Sequence, residues 1–132
     1  MSFDPIANMI SMIKNAFRAR HEKVDIPLSK IKLEMIKIFK NEGFIKNFKL
    51  VEENKQNIIR IFLKYNDKNV SVISDIKRVS KQGKRRYSKS KEIPRILNGL
   101  GVVIISTAKG VTTGKRARDE WNVGGEILCY IW

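Results

Sequence analysis

The sequence predicts an α+β protein, and three observations carry that prediction. Two helical segments lie in the first half, short apolar strand-like segments dominate the second, and a polar break at Asn66-Asp67-Lys68-Asn69 separates them. The break sets an N-terminal α+β domain at residues 1–66 against a C-terminal β-rich domain with one short helix at residues 67–132. A chain of 132 residues with 42% hydrophobic content can bury a modest core, as one compact domain or two small ones sharing an interface.

In chain order, Asp4-Pro5 is good chemistry for a helix start. Ile6, Met9, Ile10, Ile13 and Phe17 then recur at helical spacing, with Lys14, Arg18 and Arg20 outside the stripe, so a helix is expected to about residue 20. Val24, Ile26 and Leu28 alternate as a short strand would. Ser29 can cap a second helix running to Glu42 and stopped by Gly43. Residues 44–52 and 57–65 read as a hairpin around Glu53-Asn54-Lys55-Gln56. Beyond the break, residues 70–73 and 76–80 are expected as short strands, with Tyr87 on another. A helical turn is expected at 92–97, limited by Pro94. A buried strand at 101–107, a short helix at 113–120 and a closing strand at 126–132 complete the chain.

Charge narrows the function. Lys and Arg total 27 against 13 Asp and Glu, a net +14 with a pI near 10.1. Such a surface repels itself unless something anionic covers it, and the usual covers are nucleic acid and anionic membrane. A genome biased toward Lys codons would usually raise Glu as well, and here the acids do not keep pace. The single cysteine, Cys129, cannot form an intramolecular disulfide and sits in an apolar run, so it reads as a small buried hydrophobe in a reducing compartment. Met1-Ser2-Phe3-Asp4 carries no basic segment leading into an apolar signal core, and no apolar run approaches the length that spans a bilayer. The expected location is the cytoplasm.

No catalytic set is visible. His21 is the only histidine, and one Cys with one His cannot build a zinc site. There is no glycine-rich loop followed by Lys-Ser/Thr, and the carboxylates are scattered among basic residues. Neither an enzyme, nor a cofactor or metal, nor a small-molecule substrate is expected.

Residues 77–91 are different. They hold Lys77, Arg78, Lys81, Lys84, Arg85, Arg86, Lys89 and Lys91 with no acid, and Tyr87 sits inside the run. Cations neutralise phosphates and an adjacent aromatic can stack on a base or ribose. The plain alternative is a solvated basic hairpin. Further on, a buried strand delivers Ser106-Thr107-Ala108-Lys109-Gly110-Val111-Thr112-Thr113, whose hydroxyls can read 2′-OH groups and base edges. The alternative there is a helix cap from Thr112 or Thr113, and both readings can hold at once. Gly124-Gly125-Glu126 is either a turn into the last strand or part of the same surface. Lys30 and Lys32, in the first turn of the second helix, are mildly unfavourable beside its positive end. A bound anion would reverse that, and a solvated lysine pair is the plain alternative.

Several segments together resemble one family. Asp4-Pro5-Ile6-Ala7, Pro27-Leu28-Ser29-Lys30-Ile31-Lys32, Glu42-Gly43-Phe44-Ile45, Arg78-Val79-Ser80 with Arg85-Arg86-Tyr87, Gly99-Leu100-Gly101 leading into Ser106-Thr107-Ala108-Lys109-Gly110-Val111, and Gly124-Gly125-Glu126-Ile127 are similar, in order, to bacterial small ribosomal subunit protein eight. The resemblance implies two packed α+β domains. It implies direct binding to an irregular internal loop in the central domain of small-subunit ribosomal RNA, support of that domain's assembly among neighbouring ribosomal proteins, and repression of the operon's own messenger RNA. It carries RNA contacts onto Lys30, Arg85, Arg86, Tyr87, Ser106, Thr107, Ala108, Lys109, Gly124, Gly125 and Glu126. The residues themselves add Lys32, Lys84, Gly110 and Thr112. One departure stands out: many members have a serine where this chain has Ala108, which removes one hydroxyl. Two rival readings are a membrane-surface module using the basic first helix and a small nucleic-acid-processing enzyme.

Overall fold

A computed structural model describes residues 4–132, so the opening Met1-Ser2-Phe3 lies outside it. The chain forms two compact units: residues 8–74, and residues 75–132 together with residues 4–7. The architecture is α+β, with two antiparallel sheets of three and five strands.

The first helix, α1 (Pro5–Arg18), starts where Asp4 Oδ1 accepts from the Ile6 and Ala7 N–H groups, 3.1 Å each. Its apolar stripe is buried as the spacing predicts: Met9, Ile10, Ile13 and Phe17 are all at most 7% exposed. The second helix, α2 (Lys30–Asn41), is capped by Ser29, whose Oγ accepts from Lys32 N–H at 3.3 Å. It buries Met35, Ile36 and Phe39 and lies against the strand Ile45–Glu53.

β1 (Lys23–Pro27), β3 (Gln56–Leu63) and β2 (Ile45–Glu53) form the three-stranded sheet in that order. Ile26, Ile59, Ile61 and Leu63 make its buried face, each burial contributing about 1.5–3 kcal/mol. On the other face Asp25 and Arg60 are register partners. They form a bidentate pair, Arg60 Nε to Oδ1 at 2.8 Å and Nη2 to Oδ2 at 3.0 Å.

The five-stranded sheet is organised around β8 (Gly125–Ile131). β6 (Val102–Thr107) pairs along one edge of β8 and carries β7 (Gly110–Thr113) beyond it. β4 (Ile76–Arg78) and β5 (Tyr87–Ser88) also pair with β8. Ile93, Val103, Ile105, Ala117 and Ile127 form a buried cluster on this sheet.

Three segments depart from the sequence reading. Residues 70–73 form no strand, only a bridge between Tyr65 and Ser71, because the Asn66 side chain ties down the Lys68 and Val70 N–H groups in a tight loop. The helical turn expected at 92–97 splits into 3₁₀ turns at Ser90–Glu92 and Leu97–Gly99. Pro94 is the reason: it holds the preceding Ile93 extended, at ψ 122°. The helix expected at 113–120 starts at its Thr113 cap as α3 (Gly114–Arg116) but widens into a π-helical turn, Ala117–Trp121.

The Asp25–Arg60 pair gives a pH prediction. The Arg60 hydrogen bonds, against a smaller opposing effect of burial, hold the Asp25 carboxyl below its ordinary value of 3.8. A carboxyl depressed by folding stabilises the protein above its unfolded value and loses that contribution as pH falls through the folded one. Asp25→Asn should therefore be less stable than wild type at pH 7. The gap should close below about pH 4, as followed by urea unfolding across the acid range. A gap that persists unchanged at pH 2 would show the pair to be inert.

Candidate nucleic-acid interface

The edge of β8 opposite β6, where β4 and β5 pair, builds the basic surface. From β4 the ladder continues through Val79 N–H to Leu128 O and Ser80 N–H to Ile127 O, both 3.1 Å. The chain then leaves the edge. Lys81 and Lys84 close a tight turn on each other at 3.1 and 2.9 Å, with Gln82 and Gly83 at its tip. It rejoins where Arg86 O accepts from Ile127 N–H at 2.9 Å, and β5 resumes the pairing with Tyr87 opposite Glu126. The excursion leaves residues 81–87 all exposed, Tyr87 by 72%. Lys77, Lys81, Lys84, Arg86, Tyr87 and Tyr130 are among the residues lining a groove of about 460 Å³ beside it.

A polar network centred on the buried Ser80 closes the base of this loop. The Ser80 hydroxyl, 0% exposed, donates a very short hydrogen bond to Glu126 Oε2 and accepts from Arg86 N–H at 3.2 Å. Glu126 Oε2 also accepts from Arg85 Nη1 at 2.9 Å. Glu126 therefore orients an arginine. Ser80 itself escaped the sequence reading of the site. Its signal was there in the alternation: Ile76, Arg78 and Ser80 share one parity, and a small polar residue on an inward parity asks for a buried partner.

The hydroxyl segment is the tip of the β6–β7 hairpin. Thr107 pairs with Gly110, leaving Ala108 and Lys109 as the turn, and Gly110 takes a φ of +123° that disfavours any side chain. The Thr107 hydroxyl donates to Gly110 O at 2.8 Å and accepts from Lys109 N–H at 3.1 Å, so its one proton is committed to the turn. Among the described residues the half-buried Ser106 hydroxyl has no protein partner. Ala108, Lys109 and Gly110 are exposed, whereas Thr112 is buried at 4%. Thr113, not Thr112, caps α3, accepting from Arg116 N–H at 3.2 Å.

Sheet register brings these pieces together. Tyr87 is opposite Glu126, Glu126 opposite Ser106, and Ser106 opposite Val111, one row across four strands. Gly124 and Gly125 permit the closeness. A Cβ on Gly124 would sit 2.1 Å from Ser88 O, and one on Gly125 2.1 Å from Ser106 O. Lys84, Arg85, Arg86, Tyr87, Ser106, Thr107, Ala108, Lys109, Gly110, Gly124, Gly125 and Glu126 thus converge on one end of one sheet. Lys30 and Lys32 belong to the other unit. Lys30 is exposed, but Lys32 is 7% exposed and donates to Pro27 O at 3.3 Å, and burial pushes its ammonium pKa down. Arg78 is likewise drawn inward, to Asp4 at 3.2 Å and Leu128 O at 2.7 Å.

Comparison with known proteins decides the family. The family model described as Ribosomal protein S8 matches residues 4–132. The chain belongs to the ribosomal protein S8 family. A relative from Pediococcus pentosaceus named small ribosomal subunit protein uS8 is 55% identical over 129 residues, 98% of this chain and 97% of that one. Relatives of the same name from Staphylococcus epidermidis and Geobacillus kaustophilus are 53% and 52% identical, with the same coverage. The family is one of structural ribosomal proteins, not enzymes. Among the described residues no His, Cys, Asp and Glu group could hold a metal, and no helix is long and apolar enough to cross a membrane. Cys129 is buried, which pushes its thiol pKa up to about 12 and makes it a poor nucleophile.

Ser80→Ala tests the network. It leaves the Glu126 carboxylate and the Arg86 N–H short of a partner, at a cost of about 1–3 kcal/mol. Chemical denaturation should show that loss, and amide exchange at Arg86 should speed up more than exchange in β3. Equal protection of Arg86 in both proteins would mean that the hydroxyl holds nothing.

Proposed function

We propose that this chain is a structural constituent of the small ribosomal subunit that binds the central domain of small-subunit ribosomal RNA directly and supports its folding. The observation that carries the reading is the convergence of an exposed, acid-free basic loop with the β6–β7 hairpin tip across Glu126. On this reading the two parts divide the work. Lys84 and Arg86 meet phosphates, which supply affinity without sequence information. Arg85, held by Glu126, presents its remaining donors in a fixed direction. Tyr87 offers an open ring for stacking. The Ser106 hydroxyl and the exposed turn around Ala108 approach the sugar and base edges closely, which suits the wide minor groove and splayed loops of RNA. The second oxygen of Glu126 can accept from a base amino group. Ala108 leaves that turn without a side-chain donor, so contacts there fall to the backbone. Neighbouring ribosomal proteins complete the assembly. Repression of the operon's own messenger RNA uses the same surface, so the two RNAs compete for it.

Neutral variants separate affinity from selectivity. Lys84→Gln and Arg86→Gln should each flatten the slope of log affinity against log salt by about 0.7–0.9 and weaken cognate and unrelated RNA alike. Ser106→Ala should leave the slope unchanged and cost about 1–3 kcal/mol on the cognate central-domain transcript alone. Filter binding at several salt concentrations measures both effects. Normal cognate binding by a folded Ser106→Ala protein would remove the hairpin tip from the reading surface.

A further inference from the structure

The unit formed by residues 8–74 carries a second basic groove, of about 900 Å³, which none of the residues assigned above touches. Arg20, Lys46, Lys49 and Lys64 line it with Phe62 and Tyr65, and Glu22 is its one acid. Four cations against one carboxylate, over a wall that includes aromatic rings, concentrate positive potential along the groove. Among the described residues Arg20, Lys46 and Lys64 form no ion pair, and the Lys49 ammonium lies 5.6 Å above the centre of the Phe62 ring. The groove therefore holds its positive charge largely uncompensated.

Two backbone irregularities build this cluster. In a regular strand Lys46 would face away from Asn47 and Lys49, because neighbouring side chains alternate. β2 has a bulge between Ile45 and Asn47, with Lys46 as the extra residue, and all three residues line the groove. At the end of α1, Arg20 N–H donates to Phe17 O at 3.2 Å and His21 N–H to Ala16 O at 2.9 Å, the bonds of a Schellman cap. That cap puts Arg20 at φ +59°, a position glycine usually fills. The chain carries a cation there instead. The Tyr65 hydroxyl donates to His21 O at 2.6 Å and pins this turn beside the end of β3.

Resting on the RNA-binding reading, we propose that this groove is a second RNA contact, which takes the phosphodiester backbone of small-subunit ribosomal RNA through Arg20, Lys46, Lys49 and Lys64. The contact adds affinity without reading sequence, because its groups are point charges and a guanidinium on a shallow surface. An acidic protein segment is the rival occupant.

The test uses the full chain with small-subunit ribosomal RNA. The triple variant Lys46→Gln, Lys49→Gln, Lys64→Gln should flatten the log affinity against log salt slope by about 2–3, at about 0.7–0.9 per contact. It is compared with the loop variant Lys84→Gln, Arg85→Gln, Arg86→Gln. Thermal melts confirm folding, and if the triple is unstable the single Lys46→Gln and Lys64→Gln variants take its place, each with one contact's flattening. A flattened slope for both sets supports the groove. A flattened slope for the loop variant alone overturns the groove and leaves the RNA reading standing. No flattening in either set overturns both. A groove variant that loses binding to a polyglutamate peptide but keeps its RNA slope overturns the groove as an RNA contact in favour of an acidic protein partner.

Discussion

The Ser80 hydroxyl, buried at the base of the basic loop, ties the loop's far end to the Glu126 carboxylate of β8. Seven consecutive exposed residues from Lys81 to Tyr87 carry four cations, and like charges so close repel one another. What holds their ends together is the Ser80 hydroxyl, clamped between Glu126 Oε2 and the Arg86 amide, with Ile127 pairing to both sides of the excursion. Charge-assisted bonds in a partly desolvated place are the stronger kind, and Glu126 makes two of them through one oxygen. The cations of the loop can thus be presented to a polyanion without first being collected by it, which lowers the ordering cost of binding.

Close backbone approach is the second constraint. The row from Tyr87 through Glu126 to Ser106 is tight because Gly124 and Gly125 have no Cβ to push the neighbouring carbonyls away. A side chain there would collide with main chain and not with a movable side-chain end. The two glycines are therefore structural parts of the surface.

Much of this was legible in the sequence, and the failures have identifiable causes. The α1 stripe, the Ser29 cap, the hairpin and the β6 core follow from period and capping chemistry, because burial at those positions is local to one element. The convergence of loop, hairpin tip and Gly-Gly-Glu could be expected only through family resemblance, since register between distant strands is not written in local pattern. Lys32 shows the opposite limit. Its place in a helix first turn was plain, but its retreat to Pro27 O depends on how the preceding strand ends, which spacing does not show. The split at Pro94 was partly visible: the ring's effect on Ile93 was available, but the second 3₁₀ turn at Leu97, with its φ of +49°, has no sequence signal. The bulge at Lys46 was equally silent, because nothing in Phe44-Ile45-Lys46-Asn47 marks an extra residue.

The order in which the strands of the second sheet are made has a consequence for a chain emerging from translation. β4, β5 and β6 all precede their common partner, β8, by between about twenty and fifty residues of synthesis. The three-stranded sheet, by contrast, closes among near neighbours within residues 23–63. During elongation the cationic loop therefore exists for a time with neither its clamp nor its counter-charge, since Glu126 is synthesised some forty residues after Arg85. Over that interval residues 23–63 already hold every strand of their own sheet, while the basic segment still lacks the strand that pairs with it. Completion of β8 is the event that gives that segment its clamp and its counter-charge together.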